Sequence, residues 1–281
     1  MTKNAYELID SGDFQKLEQI GPYRFVRPSP QAVWRPLLPK KDWENFNARY
    51  TRFAGGDGKW SFGSSRPDKN WVIAFDQLKL ELARTDFGHL GVFVEQQKNW
   101  QRLGRICQPG LKILNLFAYT GASTIACALS GAEVVHVDAS KTSVSWARRN
   151  ADLNGLTDHP IRWMVEDVRK FVGREVRRGN RYDGIILDPP TFGRGTKNEV
   201  WKIEEHLPDL LDDLAKLLTE DYCFVLLSSH SPGYTPAAMK NNLLSMVQSS
   251  QGSFIEEEML VAEKNSGRFL PSGASVLYQR S

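Results

Sequence analysis

From about residue 107 onward, apolar runs of strand length alternate with segments of helical period. Leu111–Leu116, Glu133–Val137, Ile161–Val165, Asp183–Leu187 and Cys223–Leu227 are the strand-like runs. Ala122–Ser130, stopped by Gly131, and Lys141–Leu153, opened by Ser140 as N-cap and ended by Gly155, read as helices. Val200, Ile203, Leu207, Leu210, Leu211, Leu214, Leu217 and Leu218 recur at helical spacing, with Pro208 marking a kink or restart. Met239–Val247 is helical, and Phe254–Ala262 and Ala274–Gln279 close the chain as antiparallel strands. Strand–helix alternation predicts an α/β fold, a mostly parallel Rossmann-like sheet with an antiparallel last strand.

Ahead of it the pattern differs. Ala5–Leu8 and Phe14–Ile20 read as a short helix, followed by a lead kept extended by Pro22, Pro28, Pro30, Pro36 and Pro39. Lys59–Phe62, Trp71–Phe75 and Leu78–Leu82 read as strands, separated by turn chemistry at Gly55-Gly56-Asp57-Gly58 and Pro67-Asp68-Lys69-Asn70. The expected plan is a helical and extended lead over 1–48, a small antiparallel β module over 49–100, and the Rossmann-like domain over 101–281.

Composition narrows the class. A chain of 281 residues can bury a sizeable core as one large domain or two small ones. It has no run of about 18 apolar residues, so no membrane span is expected. Its first residues, Met1-Thr2-Lys3-Asn4-Ala5-Tyr6-Glu7, do not form a secretory signal. Cys107, Cys127 and Cys223 are scattered without metal-ligand spacing. A reduced cytoplasmic protein without disulfide or metal is expected; the oligomeric state is not legible. The net charge of +3 is uneven. Phe14–Arg105 holds 16 Lys/Arg against 9 Asp/Glu, and 15 of the 30 aromatics, among them Trp34, Trp43, Trp60, Trp71 and Trp100. Cations for phosphate and rings for unpaired bases suit RNA; the same tryptophans would equally form the module's own core.

The strand exits carry the candidate chemistry. In open α/β sheets ligands lie in the crevice outside the carboxyl ends of the strands. The first strand leaves through Asn115-Leu116-Phe117-Ala118-Tyr119-Thr120-Gly121, where a glycine and a helix N-terminus can meet a ligand. A dinucleotide site would show G-x-G-x-x-G; Gly121 alone serves a pyrophosphate poorly but suits a zwitterionic amino-acid tail, or simply makes a tight turn. Asp138, ending the second strand, can accept both ribose hydroxyls or cap the next helix. Asp167, ending the third beside Glu166, can accept from an adenine amino group, with Val168 covering the ring, or serve as a loop acid. Asp188-Pro189-Pro190-Thr191-Phe192 is the sharpest element, because prolines turn the chain out of the sheet at that crevice. The Asp188 side chain and the Pro189 carbonyl can accept from an amino group, and Phe192 can stack on its base.

With these residues the run from Asn115 to Phe192 resembles class I S-adenosylmethionine-dependent methyltransferases, and most of all the bacterial ribosomal-RNA family that includes the large-subunit cytosine-C5 enzymes. The resemblance rests on Phe117–Gly121, on Asp138-Ala139-Ser140 followed by Asn150 and Asn154, on Glu166-Asp167, and on Asp188-Pro189-Pro190 with Phe192. It implies S-adenosyl-L-methionine as cofactor and RNA as substrate. Tyr119, Thr120 and Gly121 would hold the methionine end, Asp138 with Ser140 the ribose side, and Asp167 with Val168 the adenine. Gly91-Val92-Phe93-Val94-Glu95-Gln96 is similar to a family segment that places Gln96 near the cofactor. Asp188, Pro189, Pro190 and Phe192 would be catalytic.

Two departures matter. Gln97-Lys98-Asn99-Trp100 stands where the family continues with arginines. Leu226-Leu227-Ser228-Ser229-His230-Ser231 stands where cytosine-C5 enzymes carry a cysteine, and Cys223 comes several residues too early. Carbon methylation needs that thiolate to attack the ring, so nitrogen is the favoured target; His230 is a candidate base or a loop residue. Arg169, Lys170, Arg174, Arg177, Arg178 and Arg181 form either an RNA-facing cluster or a solvated helix face. The expected activity is S-adenosylmethionine-dependent methylation of RNA, ribosomal in particular. The rivals are a methyltransferase for protein or small molecules, a nicotinamide oxidoreductase disfavoured by the single glycine, and a non-catalytic RNA-binding relative.

Overall fold

A computed structural model describes residues 6–53, 57–195, 199–247 and 249–280. The glycines of the expected Gly55-Gly56 turn and the first residues of the N-terminal lead lie outside these. The chain divides into two units, one of Met1–Gln97 with Leu260–Ser272 and one of Lys98–Met259 with Gly273–Ser281.

The first unit opens with strands, not a helix: β1 (Tyr6–Gly12), β2 (Gln15–Ile20) and β3 (Tyr23–Pro28). Asp13 and Phe14 both have positive φ (47° and 62°), the backbone of a tight two-residue hairpin turn. That turn divides a segment whose spacing reads as helical. Glu18, fully buried, further misleads the pattern. Burial pushes its carboxyl up, but Arg27 and Lys16 outweigh that and hold it at about 2; Arg27 Nε donates to it at 2.7 Å. After α1 (Lys40–Glu44), β4 (Ala48–Arg52) and β5 (Gly58–Phe62) complete a sheet of order β1-β2-β3-β4-β5. The N-terminal lead is therefore part of the β module, and the module is not wholly antiparallel, since β3 and β4 run parallel. A separate pair, β6 (Asn70–Phe75) and β7 (Leu78–Ala83), follows. Most of the tryptophans serve packing. Trp71 stacks on Phe25 at 5.6 Å, Tyr50 meets Trp60 at 5.1 Å, and the Trp43 ring N–H donates to buried Asp10 at 2.9 Å.

The second unit opens within α2 (Gln97–Ile106), a helix that the sequence pattern does not announce. Then come β8 (Lys112–Leu116), α3 (Ala122–Leu129), β9 (Glu133–Asp138), α4 (Lys141–Leu153), β10 (Ile161–Val165), α5 (Val168–Arg178) and β11 (Gly184–Leu187). A two-stranded ribbon, β12 (Phe192–Arg194) with β13 (Val200–Lys202), precedes α6 (Ile203–Ala215). β14 (Phe224–Ser229), α7 (Pro236–Leu243), β15 (Gly252–Ala262) and β16 (Phe269–Arg280) end the chain. The seven-stranded sheet has the order β10-β9-β8-β11-β14-β16-β15, with β16 antiparallel to β14. Leu114, Leu116, Ile185, Leu187, Val225 and Leu227 of its central strands fill the core against Phe171 of α5 and Leu207, Leu211 and Leu214 of α6. Pro208 lies inside α6 without ending it, in the second turn, where it removes the N–H that would otherwise meet the Glu204 carbonyl. The helical pattern that the sequence starts at Val200 begins only at Ile203, because Val200 and Trp201 belong to the ribbon.

Candidate active site at the carboxyl edge of the sheet

The order of the parallel strands reverses at β8, with β9 on one side and β11 on the other. Register then lines up the exits. Leu116 pairs with Val137 and Leu187, Val165 with Asp138, and Leu187 with Leu227. Phe117, Asp138, Val165, Asp188 and Ser228 therefore form one row, with Glu166 one residue beyond it. Asp138 and Asp188 are two strands apart, ~10 Å at ~4.8 Å per strand, a span suited to a nucleoside.

The loop after β8 alternates backbone handedness. Phe117, Tyr119 and Gly121 have φ of 55°, 48° and 87°, and no positive φ falls on Ala118 or Thr120. Left-handed backbone at two aromatic residues is costly and persists only where surroundings hold it. They do. The Tyr119 amide donates to Asp138 Oδ2 at 2.9 Å, the Ala118 amide to the Val137 carbonyl at 3.1 Å, and Asn150 Nδ2 to the Thr120 carbonyl at 2.9 Å. Gly121 opens α3, and a Cβ there would stand 2.9 Å from that of Ala147. Below the loop, Asn115 donates to Thr124 Oγ1 at 2.9 Å, which lies 2.9 Å from His136 Nδ1. Burial, with a smaller push from Arg148, lowers the His136 pKa to about 3, so the ring is neutral.

Asp138 accepts the Ser140 amide at 2.8 Å on Oδ1 as well as Tyr119 on Oδ2. Burial raises its pKa, and these two amides partly offset the rise. Each oxygen keeps a lone pair, so a ribose diol remains acceptable to it. Ser140 caps α4 through its hydroxyl, which accepts the Ser143 amide at 3.1 Å. Asp167 likewise caps α5, accepting the Lys170 amide at 3.1 Å on Oδ1; Oδ2 has no partner among the described residues. Val168 differs from expectation. It is 4% exposed within the core beside Phe171 and Val172, so its side chain packs the helix instead of covering a ring. Gln96, buried on the 3-10 turn Val94–Gln96, belongs to the first unit.

At the β11 exit, Ser228 Oγ donates to Asp188 Oδ1 at 2.7 Å. Ser228 thus meets the Asp188 side chain directly, a pairing not anticipated from the chain. Pro190 differs in role from the other members of its motif, because its carbonyl already accepts the Trp201 ring N–H at 2.7 Å. Phe192 stands out on β12, 52% exposed, with the Arg194 guanidinium 5.9 Å from its centroid. No cysteine approaches. Cys223 lies at the opposite end of β14, five residues from Ser228, or roughly 16 Å at ~3.3 Å per residue. Burial and Asp183 raise its thiol pKa, which makes it a poor nucleophile. Cys107 and Cys127 are buried.

Most of the basic cluster after β10 is engaged internally. Arg174 binds Glu166 through two hydrogen bonds of 2.6 and 2.5 Å, Lys170 pairs with Glu199 at 2.5 Å, and Arg178 lies 3.6 Å from Glu175. His230 is exposed beyond β14. Among the described residues no group of His, Cys, Asp and Glu could hold a metal ion, and no helix is long and apolar enough to cross a membrane. Trp201 escapes the sequence pattern because the helical period there extends back to Val200. The turn-rich stretch from Gly193 to Glu199, between two short apolar positions, was the available signal.

A model of the S-adenosylmethionine-dependent methyltransferase family matches residues 46–223. A crystal structure of a SAM-dependent methyltransferase from Agrobacterium tumefaciens superposes with a TM-score of 0.93 and 38% identity, covering 99% of this chain and 91% of that one. Ribosomal RNA large subunit methyltransferase K of Neisseria meningitidis serogroup B is 33% identical over 133 residues, which are 47% of this chain and 37% of that protein. Ribosomal RNA large subunit methyltransferase K/L of Shewanella baltica is 32% identical over 157 residues, 51% of this chain and 22% of that protein. The chain therefore spans well under half the length of these curated relatives.

Proposed function

The chain belongs to the S-adenosylmethionine-dependent methyltransferase family, and we propose that it methylates a nitrogen of an RNA base, in ribosomal RNA. The cofactor, when bound, supplies an electrophilic methyl group. The residues present fit it: the 117–121 loop offers a handed cradle and a helix N-terminus for the amino-acid tail, Asp138 retains acceptor capacity for the ribose, and Asp167 Oδ2 faces no competing partner among the described residues. Ser140 contributes by fixing the Asp138 turn. Gln96 enters this proposal by family resemblance alone.

The target side is read from Asp188. Ser228 occupies one carboxylate oxygen, which leaves Oδ2, with the Pro189 carbonyl, to accept the N–H bonds of an amino group. Those acceptors aim the nitrogen lone pair, and the carboxylate is the nearest group to take the proton that nitrogen sheds. Phe192, presented on the ribbon, stacks on the base. The single observation that favours nitrogen over carbon is that serine, not a thiol, meets Asp188.

RNA as substrate is supported by the names of the curated relatives and by the first unit. There the Phe62 ring carries Arg66 at 4.2 Å and Arg84 at 5.4 Å, while Phe53 and Phe87 are exposed. Such rings and guanidinium planes offer stacking to unpaired bases and charge to phosphate. The test is transfer of tritiated methyl from S-adenosylmethionine to ribosomal RNA lacking modifications, followed by nucleoside mass spectrometry of cells with and without the protein. A methylated nitrogen that vanishes with the gene is expected. Label on protein or small metabolites and none on RNA would overturn the substrate, and a 5-methylpyrimidine would overturn the nitrogen reading.

A further inference from the structure

Trp201 touches both halves of the site. Its ring lies 4.8 Å from that of Phe117, the first residue of the handed cofactor loop. Its N–H donates to the Pro190 carbonyl at 2.7 Å, in the Asp-Pro-Pro turn. It is 5% exposed, so this single bond satisfies a ring donor that would otherwise be buried unpaired. Register explains the fit. Trp201 pairs with Gly193, while Phe192 pairs with Lys202 and Arg194 with Val200. One face of the ribbon therefore carries the tryptophan inward over a residue without a side chain, and the other presents Phe192 and Arg194 outward. A Cβ at Gly193 would already touch Trp201 and Pro190, at 3.7 and 3.5 Å. The ribbon's foot is pinned too, by Thr191 Oγ1 against Ser231 Oγ at 2.7 Å and by the Ile203 amide on the Thr191 carbonyl at 3.1 Å.

We propose that Trp201 is a positioning residue that couples occupancy of the 117–121 loop to the pose of the Phe192 ribbon. Phe117 holds a left-handed backbone that its own side chain disfavours, so packing on Trp201 helps decide whether the loop keeps it. A ligand that settles the loop then settles Trp201, Pro190 and the outward ring of Phe192 together. Cofactor and target thereby order each other's sites, with the reciprocity that any coupling free energy requires. The proposal rests on the reading of Phe192 as the ring that meets the target base.

The test uses S-adenosylhomocysteine alone as probe, with hydrogen exchange followed by mass spectrometry. In the wild-type protein the probe should slow exchange both in 117–121 and in 188–203. Trp201→Phe keeps a ring beside Phe117 but loses the N–H to Pro190. It should keep protection of the loop and lose at least about threefold of that of the ribbon. Phe117→Leu cuts the other contact while leaving Trp201 in place, and should uncouple the same two peptides. A merely structural Trp201 would lower protection of both peptides alike. Equal protection of the ribbon in wild type and both variants, or a wild-type ribbon indifferent to the probe, would overturn the coupling. No RNA enters the experiment, so failure to methylate ribosomal RNA and failure of the coupling are separate results.

Discussion

The two edges of the seven-stranded sheet carry similar residues and use them differently. At the amino edge, Asp183 gives one oxygen to the Lys112 amide at 2.8 Å and the other to Thr219 at 3.0 Å. Glu175, fully buried, accepts Tyr182 and Asn180 on Oε2 and lies within 3.7 Å of Arg162 and Arg178. Those carboxylates tie elements together. At the carboxyl edge Asp138 holds two loop amides and Asp188 one serine hydroxyl, yet both keep lone pairs toward the crevice. The backbone differs too, since the alternating handed residues Phe117, Tyr119 and Gly121 all follow a carboxyl exit. A sheet of parallel strands sends its connections to one edge as turns into helix N-termini, so spare acceptors and strained loops collect there.

The sharpest way to break this contrast is Asp188→Ala. Transfer should fall at least about a thousandfold, ~4 kcal/mol of transition-state stabilisation, while S-adenosylhomocysteine affinity by calorimetry stays within about tenfold. Equal collapse of binding would make Asp188 as structural as Asp183. Gly121→Ala should cost about 2 kcal/mol in urea melts and weaken cofactor binding, because it forces a Cβ against Ala147 at positive φ. An unchanged melt would mean that the loop tolerates either backbone.

Acid probes the layer under the loop. The His136 pKa is held at about 3, below its ordinary 6.5, so the unfolded chain takes up its proton first. Stability from this group is full above pH 6.5 and drains as pH falls toward 3, by about 1.4 kcal/mol per unit. His89 in the first unit, held at about 4 by burial and nearby cations, adds a similar slope. Urea melts from pH 7 to 5 should show the loss, and His136→Gln should remove its share. The smallest expected effect is that of Cys223→Ser, with activity within about twofold of wild type by tritium transfer. A folded but dead variant would move catalysis to the amino edge and revive a covalent route.

Much of the second unit is legible in the chain. The helix Lys141–Leu153, capped by Ser140, falls where the pattern places it, and so do the strands that end at Asp138 and just before Asp188. Each is set by local apolar period and by a cap or proline. The first unit is not. Phe14–Ile20 reads as helical because Glu18 sits at a buried position that polarity argues against, and Arg27 and Tyr6 from other strands, with Lys16 beside it, make that burial tolerable. Val168 reads as a cofactor contact and proves to be core.

The sequence by itself determined the parallel sheet, the handed turn at Gly121 and the carboxylates at the strand exits, since these depend on neighbours a few residues apart. Only the tertiary structure decided that Ser228 meets Asp188, that Asn150 holds Thr120, and that Trp201 joins Phe117 to Pro190. Those pairs are made by residues 30 or more positions apart or on elements the local pattern misassigns. Their geometry is fixed by strand register and core packing, and no local periodicity encodes either.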